Sequence, residues 1–295
     1  MRIFVTGATG FIGTAIVREL IQDGHQVLGL TRSDTGAQSL AALGAEVHRG
    51  DIEDLDSLRR GAEGVDGVIH TAFNHDFSRF LANCEVDRQV VETLGSVLHG
   101  TQRPLVITSV AMLGAAAFGQ LATEDTFNAE QPNPRKVSEI ALDALAQRGV
   151  QVSAVRLPQV HNPLKQGLIT FLSALAREQG VSAYVDGGLN RWAAAHLSDV
   201  AHLYVLALQK GVAGSRYHAV AEEGVPVRTI AEVIGRGLGV PVKSIAAADA
   251  PAHFGWLSAF IGHDMSASSA LTQQRLAWQP TGPGLIADLE EMRYD

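Results

Sequence analysis

Three glycines spaced three apart, in Gly7-Ala8-Thr9-Gly10-Phe11-Ile12-Gly13, are the residues of this chain whose type and spacing most directly imply chemistry. Gly7 permits a tight turn, Gly10 lets main chain come close to a ligand, and Gly13 lets a helix pack tightly on the strand before it. The unpaired amides at the start of that helix then meet phosphate oxygens. The stretch reads as a cradle for a pyrophosphate, with Thr9, Phe11 and Ile12 completing it. The competing reading is a glycine-rich turn that binds nothing, and context decides between them: the cradle needs a strand before it and a helix after it.

Both are present. Arg2-Ile3-Phe4-Val5-Thr6 is a short apolar run suited to a buried parallel strand, and Ile12, Ala15, Ile16, Glu19 and Leu20 follow a helical period. A second apolar run, residues 26–31, ends at Arg32-Ser33. In dinucleotide-binding proteins an acid near this strand end holds the ribose hydroxyls, whereas an Arg accommodates a 2′-phosphate. Arg32 and Ser33 are therefore read as phosphate contacts, which favours NADP(H) and leaves NAD(H) possible; Asp34 is read as the cap of a helix over residues 36–43. Further strands are expected at 46–49, 66–72, 104–109 and 152–157, with a long helix over 78–98. Alternating strands and helices predict an α/β fold, a doubly wound parallel sheet of the Rossmann kind. Phe73-Asn74-His75-Asp76-Phe77 follows the fourth strand at its carboxyl end, where open α/β sheets bind ligands, so His75 and Asp76 are candidates for proton transfer or substrate binding.

With 295 residues, 46% of them hydrophobic, the chain is long enough for one large or two modest domains with a sizeable core. A mean hydropathy of +0.10 excludes general disorder. The longest apolar stretches, such as Val110 to Phe118, are too short to span a bilayer, and Met1-Arg2 leads straight into the first strand. A soluble cytoplasmic protein with no membrane partner is the expectation. A net charge of −8 opposes nonspecific binding to nucleic acid. The single cysteine, Cys84, sits in a helical pattern and reads as a packed thiol. Eleven histidines fall into no metal-ligand spacing, so no metal is expected.

Thr6-Gly7-Ala8-Thr9-Gly10-Phe11-Ile12-Gly13 resembles the T-G-x-x-G-x-x-G fingerprint of the short-chain dehydrogenase/reductase superfamily, in the form common in its extended, epimerase-like branch. That resemblance implies further roles. Asp51, in Gly50-Asp51-Ile52, would face the adenine amino group, and His70-Thr71-Ala72 with Phe73 would lie under the cofactor's ribose and pyrophosphate. Ser109 matches the hydroxyl that orients a substrate oxygen. Arg156-Leu157-Pro158-Gln159-Val160-His161-Asn162-Pro163 resembles the R-P-x-x-V-Y-G-P element, which puts Pro158 near the nicotinamide carboxamide. His161 stands where Tyr is usual and reads equally as a cleft or a structural residue.

The pattern breaks at the superfamily's Tyr-x-x-x-Lys. None of Tyr184, Tyr204, Tyr217 and Tyr294 has Lys four residues on. Aligning Glu139 with the Glu that often follows the Lys puts Arg135 at the Lys position and Gln131 at the Tyr position; sliding by one gives Lys136 and Pro132 instead. Arg135 donates hydrogen bonds to a ribose but cannot shuttle protons, and Gln131 orients a carbonyl without acidifying it. The chain thus resembles the atypical short-chain dehydrogenases. Three outcomes stay open: another acid such as His75, Tyr184, His161 or water; a substrate that needs no protein acid; or a cofactor bound as a signal without turnover. An NADP(H)-dependent reductase of a small carbonyl, enone or imine leads, with a dinucleotide sensor and a nucleotide-sugar epimerase or dehydratase as alternatives.

The second half completes the plan. Residues 164–178 read as helical, Ala183 to Trp192 as a strand and turn over the substrate pocket, and Asp199 as the start or cap of a helix running through Leu208. Leu276-Ala277-Trp278-Gln279-Pro280 resembles the L-G-W-x-P close of extended members. The expected domains are a Rossmann unit over 1–160, with 191–213 returning to it, and a smaller C-terminal substrate-binding unit over 161–190 and 214–295. The family also suggests a homodimer through helices 78–98 and 135–148.

Overall fold

Runs of four to six largely apolar and β-branched residues make the central strands of the first half, and they are buried almost end to end because helices cover both of their faces, whereas the edge strand Glu46–Arg49 is polar and half-exposed. The computed structural model describes residues 1–117 and 119–294, so Phe118, at the end of the apolar stretch from Val110, lies outside it, as does Asp295. The first half alternates β1 (Arg2–Thr6), α1 (Phe11–Gln22), β2 (Gln26–Thr31), α2 (Asp34–Ala42), β3 (Glu46–Arg49), α3 (Leu55–Ala62), β4 (Gly67–His70), α4 (Phe80–Leu98), β5 (Leu105–Val110), α5 (Lys136–Gln147) and β6 (Val152–Leu157). The second half adds β7 (Gln159–Asn162), β8 (Lys165–Gln166), α6 (Leu168–Gln179), β9 (Ser182–Val185), β10 (Arg191–His196), α7 (Leu197–Lys210), β11 (Arg216–His218), β12 (Glu222–Pro226), α8 (Val227–Leu238) and β13 (Val242–Ile245). Four short helices close the chain: α9 (Ala250–Phe254), α10 (Ser258–Ile261), α11 (Ala270–Leu276) and α12 (Leu285–Glu291).

Seven parallel strands form the main sheet in the order β11-β6-β5-β4-β1-β2-β3, the expected doubly wound Rossmann arrangement. Side chains alternate across it. Ile3 and Val5 of β1 enter the core under α1 and α7, with Ile16, Leu20 and Leu203, while Phe4 enters the core under α3, α4 and α5, with Leu58, Leu94 and Leu142. The order of strands reverses between β1 and β4, which places the turn after β1 and the segment after β4 side by side at the carboxyl edge.

A second sheet, β12-β10-β7-β8, and the parallel pair β13-β9 build the smaller unit, whose core gathers Ile169, Trp192, Ile230, Phe254 and Leu289. Two expectations shift. Residues 164–167 are not helical: Asn162 turns the chain into the β7–β8 hairpin, and α6 begins only at Leu168. The domain return also differs, because β10 pairs with β7 and β12 in the smaller sheet while β11 is the seventh strand of the main one. Helix caps show the same kind of competition. Asp54 caps α3 as expected, through Ser57 N at 3.0 Å, but Ser33 rather than Asp34 caps α2, and His196 rather than Asp199 caps α7. Asp199 instead accepts from the amides of Thr281 and Gly282, both at 2.9 Å, and pins the C-terminal segment to α7.

At the β6 side of the sheet a charge cluster is largely enclosed. Glu139 of α5 takes two bonds from Arg156, at 2.8 and 2.7 Å, one from Arg216 at 2.6 Å and one from Ser109 Oγ at 2.6 Å. Arg156 also donates to His218 Nε2 at 3.1 Å, so the ring proton is on Nδ1 and goes to the Ser268 carbonyl; burial, with the Arg156 charge, brings His218 down to about 3. Burial alone would raise Glu139, but the bonds and charges of Arg156 and Arg216 outweigh it and leave the carboxyl below its ordinary range. Its stabilising contribution is therefore present above the ordinary carboxylate range and lost as pH falls through the lowered native value. Glu139→Ala, which strands the fully buried Arg156 guanidinium and leaves half-buried Arg216 with Asp143 alone, at 2.8 Å, is expected to cost about 3–5 kcal/mol in urea unfolding at neutral pH. A loss below about 1 kcal/mol would show that the cluster does not stabilise the fold.

Candidate active site

The turn after β1 has the geometry its glycines require. Gly7 adopts φ +67°, and a Cβ there would stand 2.7 Å from Ala72 N and Thr71 Oγ1. A Cβ on Gly13 would stand 2.0 Å from the Gly7 carbonyl oxygen. Gly10 is different: its Cβ would meet only that same oxygen, at 3.1 Å, and the residue is exposed, so its open side faces outward from the amino end of α1. Gly10 is the N-cap of α1, no side chain caps it, and the first turn holds no acid. Thr9 is exposed, and Phe11 and Ile12 are half-buried. Thr71 Oγ1 ties the segment after β4 to the Thr6 carbonyl at 2.8 Å, which holds Ala72 and Phe73 beside the turn.

At the ends of β2 and β3 two cations face two acids. Arg32, with a side chain 82% exposed, stands 3.3 Å from Asp51, and Arg49 pairs with Asp34. Ser33 Oγ accepts from Gly36 N at 3.0 Å as the α2 cap, which leaves its proton free to donate. Asp51 also accepts from Glu53 N at 3.1 Å, and Ile52 is half-buried against the core.

The amino end of α5 carries the most constrained group at the carboxyl edge. Arg135 is buried, donates to the Thr108 carbonyl at 3.0 Å and lies 4.1 Å from the centroid of the Phe73 ring. Its Nη1 stands 3.0 Å from Asp87 Oδ2, off the hydrogen-bond axis, so that N–H has no acceptor. Asp87 in turn receives Ser138 Oγ and, at 3.1 Å, His70 Nε2, whose ring Nδ1 is 2.6 Å from Thr6 Oγ1. Burial would raise Asp87, yet the Arg135 charge and the His70 and Ser138 bonds bring it down to about 2. Asp87 and Ser138 are the residues that sequence reasoning missed, and His70, expected under the cofactor, is held inside by them: α4 is read from its apolar period, and nothing local marks an acid within it as the partner of an arginine 48 residues on.

The other expected site residues divide. His75 stands by Phe73, ring centroids 5.3 Å apart, and near Arg135 and Lys165; partial burial first, then those two charges, lower its pKa and favour the neutral ring. Pro158 is half-buried between β6 and β7. Gln131 is buried, and its Nε2 donates to the carbonyls of Met112 and Ala115, at 2.8 and 3.0 Å, so the amide braces a loop instead of orienting a substrate. Ser109 is fully buried with its hydroxyl on Glu139, which removes it from any substrate oxygen. His161 is likewise buried, 2.6 Å from Asp288, and burial lowers its pKa despite that carboxylate. Tyr184 lies under the Arg228 guanidinium in the smaller unit, and Tyr204 is fully buried against Thr108 at 2.6 Å with its pKa pushed up by burial. Among the described residues no three His, Cys, Asp or Glu gather as metal ligands, and no helix is long and apolar enough to cross a membrane.

Known proteins are similar to this chain over most of its length. The sequence profile of the NAD dependent epimerase/dehydratase family matches residues 3–220. An uncharacterized protein of Schizosaccharomyces pombe is 48% identical over 295 residues, covering 100% of both chains. The 2-alkyl-3-oxoalkanoate reductase of Stenotrophomonas maltophilia is 26% identical over 264 residues, covering 82% of this chain and 77% of that one. Among solved structures, the dTDP-glucose 4,6-dehydratase of Streptomyces venezuelae with NAD bound superposes with a TM-score of 0.78 at 22% identity, over 99% of this chain and 96% of that one.

Cys84 offers a check on the site's electrostatics. It is buried, and burial raises its thiol to about 11, with Arg135 lowering it and Asp87 raising it further. Iodoacetamide at about pH 8 is expected to alkylate the native thiol on the order of 100-fold more slowly than the urea-unfolded chain. Equal rates would show that the thiol is accessible and this packing wrong.

Proposed function

Since its profile covers residues 3–220, the chain belongs to the NAD dependent epimerase/dehydratase family, and we propose that it is an NADP(H)-dependent reductase of a small carbonyl, enone or imine. Members of that family are oxidoreductases, epimerases or dehydratases. The residues present fit a dinucleotide. The outward side of Gly10 leaves room for a phosphate at the uncapped start of α1, and the orphaned Nη1–H of buried Arg135 asks for an acceptor of the kind a ribose hydroxyl supplies. When bound, the cofactor supplies the hydride. The chain's own part is to bind, orient and polarise.

Arg135 is the observation that carries the reading. It holds a permanent charge out of water at the carboxyl edge, where it would donate to a ribose hydroxyl or stabilise a developing negative charge on a substrate oxygen without proton transfer. Gln131 is committed to two carbonyls, and His75 favours its neutral form, so neither is an acid ready for the reaction. An enone, whose enolate oxygen Arg135 would stabilise until water supplies the proton, suits these residues better than sugar epimerisation, which in the resembling enzymes uses a tyrosine base. NADPH is favoured over NADH by Arg32, whose exposed pair with Asp51 is weak enough to open, and by the free proton of Ser33. A second reading, a sensor that binds the dinucleotide without turnover, is favoured by the same commitment of Gln131. In either case a homodimer would cover Leu81 and Ile140, which stand outward on α4 and α5.

Absorbance of the reduced nicotinamide, followed against a panel of carbonyls, enones and imines, is expected to fall with at least one enone or imine. Arg32→Ala is expected to raise the Kd for NADPH about tenfold and leave that for NADH within about twofold. Tight NADPH binding with no consumption by any class would favour the sensor, and equal wild-type affinity for NADPH and NADH would end the assignment to Arg32.

A further inference from the structure

The β7–β8 hairpin carries an uncompensated cation from the smaller unit to the amino end of α1. Asn162 fixes the tip: its Oδ1 accepts from the amides of Leu164 and Lys165, both at 2.9 Å, and its carbonyl accepts from the side chain of buried Gln166 at 2.8 Å. From this braced turn Lys165 Nζ stands 5.6 Å from the centroid of the Phe11 ring, on the first residue of α1. Among the described residues Lys165 makes no ion pair. The ring face holds this exposed ammonium only weakly, while the start of the helix that bears the ring carries the positive end of its dipole and repels cations. Arg135 and Lys165 also bear together on His75. The positive charge is local, since the chain as a whole carries −8.

An anion at the same place removes the conflict. Phe11 immediately follows Gly10, whose open side is the space left for a phosphate, and a lysine is a compact charge on a flexible stem that can swing from a ring face to an oxygen. The two units also meet on the other side of the segment after β4, where Phe77 stacks on Trp256 at 4.5 Å and 15° and meets Phe171 edge-on at 6.4 Å. We propose that Lys165 is an anion clamp of the smaller unit that leaves Phe11 and closes on the pyrophosphate of the bound dinucleotide. This rests on the dinucleotide reading above. It adds that the second unit, not only the Rossmann unit, holds the cofactor.

Calorimetry on the full chain tests it with NADPH, with ADP-ribose, which has the pyrophosphate but no nicotinamide, and with 2′-AMP, which has no pyrophosphate. Lys165 is exposed, so Lys165→Met, which keeps the stem and removes the charge, leaves the fold unburdened; the thermal midpoint confirms it. The expected result is a Kd raised about tenfold for NADPH and ADP-ribose, unchanged for 2′-AMP, and restored to within about threefold by Lys165→Arg. Unchanged NADPH and ADP-ribose binding overturns the clamp while leaving the dinucleotide reading intact. So does a rise confined to the KM of a carboxylate-bearing substrate, which would move the anion to that substrate. Failure of the wild-type chain to bind NADPH or NADH removes both readings together.

Discussion

A guanidinium taken out of water at the carboxyl edge of a parallel sheet has to be compensated, and the compensation of Arg135 by Asp87 organises the rest of this edge. The pair is useful only because it is imperfect. Asp87 divides its oxygens among Arg135, His70 and Ser138, and one arginine N–H is left facing without an acceptor. His70 hands the constraint to Thr6, the last residue of β1, so the position of Arg135 is coupled through buried groups to the glycine turn. The aromatic face of Phe73 closes the remaining side.

α5 is the element that joins the two halves of this arrangement. At its amino end Arg135 and Ser138 belong to the network at the carboxyl edge; one residue on, Glu139 belongs to the enclosed cluster with Arg156, Arg216 and Ser109. The cluster is satisfied almost completely and serves to seat α5 against β5, β6 and β11. That seating accounts for the fate of Ser109 and Gln131. Both stand where the family's pattern leads one to expect substrate contacts, and both are spent inside the protein, one on Glu139 and one on the carbonyls of Met112 and Ala115. The charges this edge presents are cationic, Arg135 beside Asp87, Arg32 beside Asp51 and Lys165 with no acid among the described residues, in a chain that is acidic overall.

Much of this was legible in the residues themselves. The glycine turn is a local object: positive φ at Gly7 and the absence of room for a Cβ at Gly13 follow from the contacts of a strand with the helix a few residues later. The parallel strands announce themselves as short apolar runs, and Asp54 announces the start of α3. Where two neighbouring residues compete for one local role, the sequence is less decisive. Ser33 took the cap of α2 from Asp34, and Asn162 with Gln166 made a hairpin where the apolar spacing read as helix.

By itself the sequence determined the doubly wound fold, the tight glycine turn after the first strand and the lack of a tyrosine with a lysine four residues on, because each depends on periodicity or on side chains only a few positions apart. Only the tertiary structure decided which charges are paired: Arg135 with Asp87, Glu139 with Arg156 and Arg216, and Lys165 with no acid among the described residues. These partners come from elements that no local pattern connects. A buried charge is settled by whichever groups the sheet and its crossings bring within about 3 Å.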